Sequence, residues 1–146
     1  MQEAMSRLKW TDALKTGVEE IDEQHMILVH TLNEAAEKLA HEATAETLGQ
    51  ITQDLLSYAL YHFETEEELM QEYGYREAEG EGMQRHLDQH RSFSSKVVEI
   101  REGIKTGNLI APGDLIGFLN SWLVNHIQNT DQALAAFLLT KRNNSN

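Results

Sequence analysis

In the stretch His62-Phe63-Glu64-Thr65-Glu66 a histidine and a carboxylate stand four residues apart. On a helix, at about 100° per residue, that spacing leaves the two side chains about 40° apart on one face, so both address one spot. Glu67 lies about 140° from His62 and Glu64 about 200°, so these two and Glu68 are expected to be solvated. The four-residue spacing recurs in His86 and His90. Imidazole nitrogens and carboxylate oxygens turned to a common point are the donors of a nitrogen and oxygen metal site. The chain has no cysteine, which excludes thiolate zinc sites, iron–sulfur clusters, disulfides and cysteine nucleophiles.

The apolar pattern places these groups on helices. From about Val18 to His41, Ile21, Leu28, Val29, Leu32, Ala35, Ala36 and Leu39 recur in steps of three and four, with His25 in the stripe and His30 and His41 off it. A second helix runs from the polar link around Glu42 to Thr44 as far as Tyr73, with His62 and Glu66 in line with Leu48, Ile51, Leu55, Ala59 and Leu69. Gly74, Gly80 and Gly82 predict a loop from 74 to 82. The third helix, about Met83 to Ile104, repeats Met83, His86, His90, Phe93, Val97, Ile100 and Ile104. Pro112 suits the first turn of a fourth helix carrying Leu115, Leu119, Trp122, His126 and Ile127. Leu134, Phe137 and Leu138 predict a short terminal helix.

Helices of this length joined by mostly short links predict an all-α, antiparallel up-down-up-down four-helix bundle. Residues 1–146 are expected to form a single domain, with an arm over 1–17 pinned by Trp10 and a frayed tail over 141–146. Five of the seven histidines fall in apolar stripes, at least one per helix. Without a shared partner they would leave many unsatisfied buried polar atoms, each costing about 1–3 kcal/mol. A metal layer across the bundle answers that cost.

The formal net charge of −12 argues against nucleic acid and anionic membrane surfaces as partners. No run reaches the roughly 18 apolar residues of a membrane span, and the first ten residues lack a signal-peptide core. A cytoplasmic location is expected.

The chain resembles the hemerythrin family, in its bacterial single-domain form, from Trp10 to about Asp131. The resemblance is carried by Ile21-Asp22-Glu23-Gln24-His25, by His62-Phe63-Glu64-Thr65-Glu66, by His86-Leu87-Asp88-Gln89-His90, and by His126-Ile127-Gln128-Asn129-Thr130-Asp131. It implies a centre of two non-haem iron ions with an oxo or hydroxo bridge. His86, His90 and His126 would hold one iron and His25 and His62 the other, with Glu66 and Asp131 bridging. Two octahedral ions then retain one open position, beside His25 and His62, for dioxygen or a small anion. Leu28, Phe63, Trp122, Leu123 and Ile127 would wall that position off from water.

Reversible dioxygen binding, as carrier, store or buffer, is the implied function. An oxygen or redox sensor using the same centre is the alternative, and a peroxide- or nitric-oxide-reducing enzyme ranks below it for want of an acid–base residue in the pocket. The chain is therefore expected not to be an enzyme, and its protein partner is unknown. Two departures from the family pattern stand out: Arg76 follows Gly74-Tyr75 where a proline is common, and the interval from Glu66 to His86 is longer. A looser acidic loop is expected there. Asp131, five residues from His126, lies about 140° around a regular helix, so a π-type turn or a helix end is required between them.

Overall fold

The structure, a computed structural model, describes residues 8–143. The described residues form helices and links with no strand. Helix α1 spans Glu19–His41 and α2 spans Ala45–Glu72. A single turn, α3, covers Tyr75–Ala78, and α4 covers Gly80–Lys105. Helix α5, Pro112–Asn125, passes through a π turn at His126–Asp131 into α6, Gln132–Asn143. None of these helices is long and apolar enough to cross a membrane.

The long helices run antiparallel. Gln24 of α1 reaches Thr65 of α2, while Ala35 and Ile51, further on and further back, share one groove. Gly49 near the start of α2 faces Ile104 at the end of α4, and Phe93 of α4 packs on Phe118 and Trp122 of α5. Local chemistry sets the helix ends. The Thr44 hydroxyl accepts from the Thr47 amide at 3.1 Å to cap α2, and Pro112 opens α5.

Buried apolar residues form two groups with the histidine layer between them. On α1 the order is Ile21, His25, Leu28; on α4 it is Met83, His86, His90, Phe93. On α2 it is Phe63, Glu66, Leu69, and on the α5–α6 helix Ile127, Asp131, Leu134. Each helix thus carries its polar group between two apolar anchors, which fixes its height in the bundle.

Two expectations need amendment, the loop at 74–82 and the frayed tail. The segment 74–82 is mostly helical: Gly74, at φ 72°, ends α2, and α4 starts at Gly80 rather than Met83. Tyr75 overrides the glycine-rich composition by burying its ring 5.0 Å from Phe137. The expected short terminal helix is α6, which follows α5 through the π turn. In the tail, 141–143 are helical, with Arg142 paired to Glu20 at 2.6 Å and bonded to Tyr73; 144–146 lie outside the described residues. The arm agrees with expectation from Leu8 onward: the Leu8 backbone exchanges two hydrogen bonds with Asn33, and Trp10 packs on the core. Its first seven residues also lie outside the described residues.

Candidate metal centre

All seven residues singled out by spacing and resemblance meet at the centre of the bundle. His25, His86, Glu66 and Asp131 are fully buried, and His62, His90 and His126 nearly so. His30 and His41 are exposed. The imidazole Nε2 atoms surround two carboxylates. Glu66 Oε1 lies 3.1 Å from His90, 3.4 Å from His62 and His86, and 3.8 Å from His126. Asp131 lies 2.7 Å from His25, 3.0 Å from His126 and 3.2 Å from His86. Glu66 with His86, His90 and His126 forms one group able to hold a metal ion, and His25 and His62 with Glu66 and Asp131 form a second.

The π turn over His126–Asp131 makes the second carboxylate available. Widening the helix to five-residue bonding brings residues five apart onto one face, as the His126-to-Asp131 spacing demands.

Satisfied hydrogen bonding would have closed this site to a metal, and it is not satisfied. His25 Nδ1, His86 Nδ1, His126 Nε2, Glu66 Oε2 and both Asp131 oxygens are buried with no hydrogen bond. Glu66 Oε1 is within hydrogen-bonding reach of His90 and His86, whereas the short contacts to Asp131 are misaligned for hydrogen bonding. Orphaned donors and acceptors at this density are costly in a protein interior. A convergent cluster of imidazole nitrogens and carboxylate oxygens, six of them without a partner, fits a divalent or trivalent cation of the iron type.

The electrostatics of the cluster point the same way. Burial, reinforced by Asp131, pushes the Glu66 carboxyl well above the usual carboxylate range. Burial also opposes ionisation of Asp131, but His126, His25 and His86 overcome it and hold that carboxyl well below its usual range. Burial and the neighbouring imidazoles lower His62 to about 3 and His90 to about 2. At His126 burial works against the charge, and Asp131 and Glu66 prevail, raising it to about 9.

These directions set the pH response of the chain stripped of metal. His62 and His90 contribute stability above the unfolded value of about 6.5 that is lost as pH falls. Glu66, its carboxyl raised by burial, works against them. His126 contributes stability below about 6.5 that is lost as pH rises through about 9. Stability of the stripped chain therefore peaks at about pH 6.5 and falls on either side. Urea unfolding in chelator on either side of that pH measures it; stability climbing steadily into the alkaline range would contradict the assignment.

Outside the cluster, three side chains orient its imidazoles. Gln24 Oε1 accepts from His62 Nδ1 at 2.7 Å, Gln89 Oε1 from His126 Nδ1 at 2.7 Å, and Glu67 Oε2 from His90 Nδ1 at 3.0 Å. Each holds the ring tautomer with Nε2 turned inward. Sequence reasoning missed all three. The glutamines each precede a histidine, a signal present in the sequence, but their partners sit on other helices. Glu67, expected to be solvated, is only partly so, with its side chain 40% exposed.

Above the cluster is an apolar cavity lined by Leu28, Phe63, Trp122 and Leu123 together with Leu32, Leu55, Ala59, Phe93 and Leu119, and floored by His62 and His126. The space open to the centre of a water-sized molecule is about 20 Å³, enough for one small guest. Four of the five expected wall residues line it. Ile127 does not; it is buried in the adjoining core.

The hemerythrin HHE cation binding domain matches residues 16–138. The chain belongs to the hemerythrin family. It is 35% identical over 130 residues to a bacteriohemerythrin of Pseudomonas aeruginosa, covering 87% of this chain and 78% of that one. A bacteriohemerythrin of Stenotrophomonas maltophilia is 34% identical over 137 residues, with 90% and 81% covered. The myohemerythrin of Theromyzon tessulatum is 28% identical over 123 residues, with 84% and 87% covered. The crystal structure of wild-type hemerythrin superposes with a TM-score of 0.80 at 25% identity, over 91% of this chain and 98% of that one. As a hemerythrin-family chain with a buried cluster of histidines and carboxylates suited to iron, the protein fits the general class of di-iron oxygen-binding proteins.

Proposed function

We propose that the chain binds dioxygen reversibly at two non-haem irons joined by an oxo or hydroxo bridge, as a carrier, store or buffer. His86, His90 and His126 would hold one iron and His25 and His62 the other, with Glu66 and Asp131 available to both. The observation that carries this reading is the cavity over His62 and His126. It admits one small molecule, and its lining offers no acid or base besides those two imidazoles. The iron pair, when bound, supplies the electrons that dioxygen binding needs and takes them back on release.

The chain's own residues do the rest. Glu66 and Asp131 bring negative charge between the metal positions. Gln24, Gln89 and Glu67 keep the imidazoles turned inward. Phe63 and Trp122 stack on His90 and His126, at ring separations of 3.8 and 4.4 Å, and exclude the water that would deliver protons. A pocket that withholds protons favours release over reduction of the guest, which is why carriage is preferred to peroxide or nitric oxide chemistry. The test is anaerobic reduction of the iron-loaded chain, exposure to air, then flushing with argon. Visible bands should appear with air and fade under argon; bands that persist after flushing would overturn reversible binding.

A further inference from the structure

The cluster is built from two nearly equivalent halves. On α1 and α2 the parts are Gln24, His25, His62, Thr65 and Glu66; on α4 and the π turn they are Gln89, His90, His126, Thr130 and Asp131. In each half a glutamine amide oxygen takes the Nδ1 proton of the imidazole on the next helix, at 2.7 Å in both. Each amide also meets the threonine beside the carboxylate. Gln24 Nε2 donates to Thr65 Oγ1 at 3.1 Å, and Thr130 Oγ1 donates to Gln89 Oε1 at 2.7 Å. The remaining imidazoles cross over in the same sense, His25 to Asp131 and His90 to Glu66. The extra residue of the π turn brings Thr130 and Asp131 into the places that Thr65 and Glu66 occupy opposite.

Two residues break the equivalence, and one of them is charged. His86 has Ile21 as its counterpart. Glu67, next after Glu66, accepts from His90 Nδ1 at 3.0 Å. Its counterpart next after Asp131 is Gln132, whose amide instead donates to the Lys15 carbonyl at 2.8 Å, and His25 Nδ1 has no hydrogen-bond partner. One group of imidazoles is thus backed by a carboxylate and the other by an amide alone.

We infer that Glu67 is a positioning residue that makes the two metal positions electronically unequal, so that the ion among His86, His90 and His126 is oxidised at the lower potential. The inference rests on the di-iron reading above. A carboxylate behind an imidazole raises the basicity of the nitrogen that faces the metal, and a stronger donor favours the higher metal charge. Gln24 and Gln89 give the same orientation without the charge, which isolates charge as the variable.

The test is a mediated potentiometric titration of the full chain loaded with iron, comparing wild type with Glu67→Gln and Gln89→Glu. Glu67→Gln keeps the hydrogen bond and removes the charge. It should retain the iron pair and raise the first midpoint by an amount equal to about a ten-fold change in the oxidised-to-reduced ratio, or ~59 mV for one electron. Gln89→Glu should lower it. An unchanged midpoint in an iron-loaded Glu67→Gln overturns this inference alone. Loss of iron from Glu67→Gln also overturns it, because the amide can still orient His90. A wild-type chain that holds no iron pair overturns the di-iron reading itself.

Discussion

Glu66→Ala is expected to abolish retention of the iron pair, whereas Glu67→Ala keeps it with about 10–100-fold weaker affinity. The two acids are neighbours in sequence and differ in what they face. Glu66 is fully buried and approaches four imidazoles within 3.8 Å. Its loss removes a donor shared by both metal groups and leaves Asp131 alone against five histidines. Glu67 touches only the outer nitrogen of His90, so its removal loosens one ring and spares the donor set. Iron content after passage through a desalting column separates the cases; equal retention in the two variants would contradict the bridging role of Glu66.

Phe63→Ala is expected to cost about 3–5 kcal/mol of stability in the metal-stripped chain. Its ring is buried, lies flat on His90 at 3.8 Å, and meets Phe93 and Trp122 edge-on at 5.8 Å. In a close-packed interior its removal leaves a cavity that neighbouring side chains refill only in part. The same change enlarges the cavity over His62 and admits water, so the reduced, iron-loaded variant should oxidise irreversibly in air faster than wild type. Urea unfolding measures the first effect and the decay of the visible bands the second. A loss below about 1 kcal/mol with unchanged decay would show that Phe63 neither packs the core nor guards the site.

Much of this centre was readable from spacing alone. His62 with Glu66 and His86 with His90 declare themselves because the α-helical period places residues four apart on one face. The five-residue step to Asp131 breaks that period, and its breach pointed to the π turn now seen at His126–Asp131. What spacing could not show lies between helices. Gln24, Gln89 and Glu67 act on imidazoles 38, 37 and 23 positions away along the chain, and no local pattern marks such partners. The stretch 74–82 misled for the opposite reason. Its glycines argue for a loop, but burial of Tyr75 against Phe137 is a tertiary gain that outweighs weak local propensity. Ile127 was placed in the cavity wall by its proximity to His126, yet adjacent residues on a helix point about 100° apart, and it turns into the core.

The central claim is that this cluster holds two irons that share Glu66 and Asp131. Anomalous X-ray scattering at the iron edge, from crystals of the iron-loaded chain, tests it most directly. Two peaks are predicted, one among His86, His90 and His126 and one beside His25 and His62, each in contact with both carboxylates. A single peak, or peaks away from Glu66 and Asp131, would contradict it.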